Sequence, residues 1–255
     1  MKLKFSIHSF TSCSGCIASI ISLDIFPQFM ERTELIYSSF LLDEKEVKPH
    51  DIALVEGCIS NNEQVEELKI IRKNAKKVYA LGTCAAFGGI LNLSNKVRGE
   101  PLSNYIEING IIPGCPPPEK LLGNCLIRLI ENKEFELSQK NLCASCPLRE
   151  TMDLKAIKKI EYNFSNAYKV MTHDNEKKQE CFLNRGILCL GPITREGCEH
   201  ICIKHNIPCE GCMGPISKDF TSNMVNFLGL FSLSKNLENY HDMFYRFSKP
   251  KFKGQ

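Results

Sequence analysis

Several familiar catalytic signatures are missing from this chain. It has no GxSxG elbow, no HExxH pair and no GxxxxGK(S/T) phosphate loop. Those absences remove a serine-hydrolase elbow, a zinc-protease helix and a phosphate-cradling loop. No stretch approaches the roughly 18 uninterrupted apolar residues of a spanning helix. The best, residues 224–233, is short and contains Asn226, so no membrane anchor is expected. There is no period of 20 to 50 residues that would signal a solenoid. A strong charge of one sign is also lacking. The formal net charge of +3 is too mild and too evenly spread to predict a nucleic-acid partner. The start, Met1-Lys2-Leu3-Lys4, runs straight into a strand-like segment. It shows no signal-peptide core and no twin-arginine pair, which predicts a cytoplasmic protein.

What is present is ordinary in bulk and unusual in one residue. The 255 residues are 43% hydrophobic and 24% charged, as in a globular chain of one large or two small domains. The count of 14 cysteines is high for this length. In a cytoplasmic protein, clustered cysteines point to metal or redox chemistry more often than to disulfides.

The first half alternates strand-like and helix-like segments. Residues 3–9, 35–42, 51–55, 77–81 and 105–112 read as strands. Residues 17–30 read as a helix broken or ended near Pro27. Residues 61–74 have helical spacing, with Val65, Leu68 and Ile71 on one face. Residues 118–132 form a helix with prolines at its start, where the missing N–H does no harm. This alternation predicts an α/β, doubly wound parallel sheet, whose ligands bind beyond the carboxyl ends of the strands. The segment Cys13-Ser14-Gly15-Cys16, then Cys84, then Gly114-Cys115 each follow a predicted strand end. Four cysteines from three distant segments therefore converge on one edge. The polar stretch 131–141 looks like a boundary, giving domains 1–132 and 133–255. The second is smaller and irregular. Residues 142–215 hold eight cysteines and little apolar mass, so metal clusters could stand in for a conventional core.

A cubane iron–sulfur cluster needs four ligands, usually thiolates. Cys13, Cys16, Cys84 and Cys115 make one such set. The CxxC opens a predicted helix, whose first N–H groups could face an anionic cluster. Cys84 sits in Gly82-Thr83-Cys84-Ala85-Ala86-Phe87-Gly88-Gly89, where small residues allow close backbone approach. Cys143, Cys146, Cys181, Cys189, Cys198, Cys202, Cys209 and Cys212 make two cubanes with none left over. Two zinc sites would use the same count. The tandem ferredoxin spacing CxxCxxCxxxCP is absent, which excludes a ferredoxin insert. Three cubanes of about −2 each would bring the net charge to about −3. Cys58 and Cys125 read as structural, Cys125 inside an apolar helix and Cys58 just after a strand end near the first set. Glu56, at that strand end, is a candidate proton relay or a solvated carboxylate. His173 is a minor candidate ligand. The segments 189–192 and 212–215, both Cys-x-Gly-Pro, form a weak local echo. The tail aromatics 244–247 read as packing or subunit contacts.

Taken in order, Thr11-Ser12-Cys13-Ser14-Gly15-Cys16, Leu54-Val55-Glu56-Gly57, Gly82-Thr83-Cys84-Ala85-Ala86-Phe87-Gly88-Gly89 and Ile112-Pro113-Gly114-Cys115-Pro116-Pro117 resemble the small subunit of [NiFe] hydrogenases. The resemblance continues through Cys189-Leu190-Gly191-Pro192-Ile193-Thr194-Arg195 to Cys209-Glu210-Gly211-Cys212. It implies a flavodoxin-like domain with a proximal cluster on Cys13, Cys16, Cys84 and Cys115. A medial cluster on Cys198, Cys202, Cys209 and Cys212 would come next, with a distal cluster on Cys143, Cys146, Cys181 and Cys189. Cys143 takes the place of a histidine common in periplasmic members, and Cys202 adds a fourth medial thiol. Both departures resemble the cytoplasmic sulfhydrogenase delta and F420-non-reducing, methyl-viologen-reducing groups. The implied role is electron transfer through three [4Fe-4S] clusters. They would connect the nickel–iron site of a partner large subunit to an acceptor subunit that is flavin-bearing, ferredoxin-like or heterodisulfide-reductase-linked. Nickel would lie on the partner. The competing expectations are a cluster subunit of the complex I type and a zinc-stabilised structural or interaction protein.

Overall fold

The computed structural model describes residues 2–44, 46–94, 96–153, 155, 157, 160, 179–216, 220–230 and 243–248. His173 lies outside them. The described residues up to Glu136, with Phe247 and Ser248, make one unit. Those from Leu137 to Arg246 make a second.

The first unit is a five-stranded parallel sheet. Its strands are β1 (Leu3–Ser9), β2 (Thr33–Ser38), β3 (His50–Glu56), β4 (Ala75–Leu81) and β5 (Gly110–Ile112). They lie in the order β2-β1-β3-β4-β5. Helices α1 (Gly15–Ile21), α2 (Phe26–Arg32), α3 (Asn62–Asn74), α4 (Gly82–Phe87) and α5 (Glu119–Ile130) connect them. The central strands are apolar on both sides because both faces are covered. Ile52, Leu54, Tyr79 and Leu81 share a core with Ile20 of α1 and Leu126 of α5. Ala53, Val55, Val78 and Ala80 share another with Leu68 and Ile71 of α3. Asn61 caps α3, its Oδ1 accepting the Gln64 N–H at 2.9 Å. β1 departs from the apolar rule. Its Ser6 and His8 are buried, and the Ser6 hydroxyl lies 2.8 Å from both the His8 and the His50 imidazole.

Three expectations need adjustment. The helix expected over residues 17–30 is two helices, and Pro27 stands in the first turn of α2, where its missing N–H is harmless. The strand expected over 35–42 ends at Ser38, in a turn closed by the Leu42 N–H on the Ser38 carbonyl at 3.2 Å. The strand expected over 105–112 shrinks to three residues. Tyr105 and Ile106 instead return their N–H groups to the Leu102 carbonyl in a tight turn.

The second unit is irregular, with short helices α6 (Ile201–Lys204) and α7 (Phe220–Leu230). It has more apolar core than its cysteine-rich stretch suggests. Leu142, Phe182, Leu188, Ile193, Phe227 and Tyr245 are buried together. The last two come from beyond residue 215, which is why the stretch 142–215 looked poor. The two Cys-x-Gly-Pro segments meet. Thr194 bridges Pro215, and the Arg195 N–H donates to the Gly214 carbonyl at 2.9 Å. The Arg195 guanidinium also donates to the carbonyls of Ser138, Pro215 and Ile216, tying three segments.

Candidate metal centres

Parallel pairing puts the carboxyl ends of β1, β4 and β5 on one edge of the sheet. The loops beyond them carry Cys13 and Cys16, Cys84, and Cys115. These thiols lie close enough for their charges to act on one another. Burial pushes the Cys16 thiol well above its usual value, and Glu56, Cys84, Cys115 and Cys13 add to the rise. Burial, followed by Cys58, Cys115, Cys13 and Glu56, pushes Cys84 up to about 12. Cys115 rises through burial and then Cys13. Two bonds lock the Cys84 loop to the Cys115 loop. The Thr83 N–H donates to the Gly114 carbonyl at 2.9 Å, and the Gly114 N–H donates to the Thr83 hydroxyl at 3.1 Å.

The thiols sit on a floor of glycine. A Cβ on Gly82, whose φ is +80°, would stand 2.2 Å from Cys16 Sγ. A Cβ on Gly89 would stand 2.6 Å from Cys84 Sγ. Any side chain there would fill the space the sulfurs occupy. Four thiols on such a cradle fit a cubane. Among the described residues, no three His, Cys, Asp or Glu side chains converge as a single metal ion requires.

Glu56 is not a solvated carboxylate. It is 1% exposed, and its Oε2 accepts the Ile17 N–H at 2.9 Å. Burial raises its carboxyl above the ordinary range, and that hydrogen bond pulls the other way. Its Oε1 has no hydrogen-bond partner. One helix-opening amide that was expected to face a cluster therefore faces Glu56 instead.

In the second unit, Cys143, Cys146, Cys181 and Cys189 line one cavity with Leu142, Phe182 and Ile203. Burial raises all four thiols. The charges of Cys189, Cys146 and Cys181 add to the rise at Cys143, and Arg149 opposes it. Gly191 again leaves space, since its Cβ would meet Cys143 Sγ at 3.2 Å. The other four are grouped less tightly. Burial raises Cys202, with Cys198 adding to it. Burial raises Cys209, with Cys189 and then Cys212 adding to it. The Cys209 N–H also donates to Cys189 Sγ at 3.4 Å, so Cys189 adjoins both sets.

Residue-by-residue reading missed the Thr83 lock, the Arg195 clamp and the nearness of Cys58 to Cys84. Only Cys58 carried a signal, its place just beyond β3.

Known proteins resemble this chain over most of its length. The family described as NADH ubiquinone oxidoreductase, 20 Kd subunit, matches residues 13–129, which is the first unit only. The vhu small subunit of the F420-non-reducing hydrogenase of Methanocaldococcus jannaschii is 31% identical over 264 residues. That match covers 89% of this chain and 88% of the relative. The chain belongs to the small-subunit family of [NiFe] hydrogenases. It is thus a component of an oxidoreductase, and the complex I expectation is confined to the shared first unit. Sulfhydrogenase 2 subunit delta of Pyrococcus furiosus is 25% identical, covering 92% of this chain and 93% of that one. The fold also matches the [NiFeSe] hydrogenase of Desulfovibrio vulgaris Hildenborough with a TM-score of 0.63 and 17% identity. That match covers 86% of this chain and 95% of the solved one. Among the described residues, no helix is long and apolar enough to cross a membrane.

Proposed function

We propose that this hydrogenase small subunit is a cytoplasmic electron relay carrying three [4Fe-4S] clusters. Residues 1–132 would hold the proximal cluster on Cys13, Cys16, Cys84 and Cys115. Residues 133–255 would hold the other two, distal on Cys143, Cys146, Cys181 and Cys189 and medial on Cys198, Cys202, Cys209 and Cys212. The observation that carries the reading is the convergence of four strand-end thiols on the Gly82 and Gly89 floor. The cavity lined by Cys143, Cys146, Cys181 and Cys189 supports it independently. A relative from Archaeoglobus profundus, 25% identical, is named as the iron-sulfur subunit of an F420-non-reducing hydrogenase.

When bound, such clusters accept and pass single electrons, with potentials set by hydrogen bonds and burial. The chain's residues supply the rest. Glu56 holds the CxxC turn through the Ile17 amide, and its free Oε1 is where a relayed proton would sit. Thr83 fixes the spacing of Cys84 and Cys115. Arg195 ties together the segments bearing Cys189, Cys198 and Cys212. A large subunit with the nickel–iron site would be the electron source or sink at one end. A flavin, ferredoxin-like or heterodisulfide-reductase-linked subunit would serve the other.

The test is iron, acid-labile sulfide and zinc per chain after anaerobic purification of the complex. Iron and sulfide of about twelve each per small subunit are expected after subtracting the partners' own content. Zinc in place of iron, or about four irons, would overturn the three-cluster reading.

A further inference from the structure

We propose that Cys58 is a reserve ligand of the first thiol set, able to take the place of Cys84. The inference rests on the cluster reading of that set. β3 lies between β1 and β4, the strands that lead to Cys13, Cys16 and Cys84. It is central to the edge, yet its end leads to none of the four assigned ligands. The strand runs instead into Glu56-Gly57-Cys58.

The backbone holds Cys58 firmly against the ligand loop. The Thr11 N–H donates to the Cys58 carbonyl at 3.2 Å, and the Cys58 N–H donates to the Thr11 carbonyl at 3.0 Å. The Phe10 N–H donates to the Glu56 carbonyl at 2.9 Å. Gly57 makes the close turn possible, with φ of +90° and no Cβ to strike Phe10. The Cys58 sulfur lies 3.5 Å from the Thr11 carbonyl oxygen, two residues before Cys13. On its other side, Cys58 is the charged neighbour that weighs most on Cys84, ahead of Cys115 and Cys13. The residue is fully buried. Burial alone would be met by alanine or valine. A thiol there gives the edge a fifth sulfur between two ligand-bearing loops.

The exchange is a ligand substitution without redox change. The iron bond to Cys84 Sγ breaks and an iron bond to Cys58 Sγ forms. The proton released by Cys58 passes to the departing Cys84 thiolate, so charge and oxidation state are conserved. Where Cys84 is absent, that proton goes to solvent. The device would keep the site four-coordinate after loss of Cys84 to alkylation or oxidation.

The test compares the anaerobically purified complex in four forms: wild type, Cys84→Ala, Cys58→Ala and the double variant. The readouts are iron and sulfide per small subunit and electron paramagnetic resonance of the oxidised protein. Wild type and Cys84→Ala should both keep about twelve irons in this chain, with no three-iron signal. The double variant should fall to about eleven with that signal, or to about eight. Cys58→Ala, with Cys84 intact, should keep about twelve, showing that the double's loss is not misfolding. If Cys58→Ala does not fold, Cys58→Ser replaces it in both forms. A Cys84→Ala protein identical to the double variant, beside a wild type with about twelve irons, overturns the proposal and leaves the cluster reading intact. A wild type without the first cluster overturns both.

Discussion

Replacing Gly82 by alanine should empty the first metal centre without touching a ligand. The new Cβ would stand 2.2 Å from Cys16 Sγ, where ordinary contact begins at 3.4 Å. The sulfur or the backbone must therefore give by about 1.2 Å. Neither is free to do so. Cys16 is buried in α1, whose next amide is bonded to Glu56, and Gly82 begins the turn that Thr83 locks to Gly114. The left-handed backbone at φ +80° adds about 1–2 kcal/mol for a residue with a side chain. Overpacking adds about 1–3 kcal/mol. The variant should lose about 2–5 kcal/mol in urea unfolding, and iron should fall from about twelve to about eight per chain. Gly123→Ala is the control. That glycine lies within α5, and its added Cβ would meet only Ile25 Cδ1, at 3.5 Å. It should be neutral or stabilising by about 0.5–1 kcal/mol. A Gly82→Ala protein with full iron content and wild-type stability would refute the glycine floor.

Acid should weaken the first unit through His8. Burial, with the charge of His50 adding to it, holds the imidazole at about 3, below its ordinary 6.5. Its contribution is therefore complete above 6.5 and fades as the pH falls towards 3, by about 2 kcal/mol at pH 5. His8→Gln should flatten that slope in urea titrations at pH 7 and pH 5, and equal slopes would sink the idea. Glu56→Gln should keep an acceptor for the Ile17 amide and keep iron. Glu56→Ala should leave that amide unpaired, lose about 1–3 kcal/mol and lower iron content. If glutamine behaves like alanine in the iron assay, the charge and not the acceptor is what matters. Tyr245 is wholly buried and its hydroxyl donates to the Ile193 carbonyl. Tyr245→Ala should destabilise by about 3–5 kcal/mol and Tyr245→Phe by about 1 kcal/mol. Indistinguishable midpoints for the two would show that the ring contributes nothing beyond the hydrogen bond.

Local pattern was enough for the strands, the helices covering them and the thiols of the first edge. A doubly buried strand needs a continuous apolar run, as in 51–55 and 77–81, and α3 needs Val65, Leu68 and Ile71 at helical spacing. Those patterns lie in consecutive residues. Parallel pairing then forces every carboxyl end to one side, so strand-end cysteines from distant segments were legible as one group. Other features depend on which segments touch, and these emerged only from the folded chain. The order β2-β1-β3-β4-β5 is set by packing across both faces, which local periodicity does not encode. Glu56 taking the Ile17 amide, Cys58 lying between two ligand loops and Tyr245 completing the second core are contacts between segments far apart in the chain. Each is fixed by the shape of the space left once the rest has folded. A single side chain in the sequence carries no record of that space.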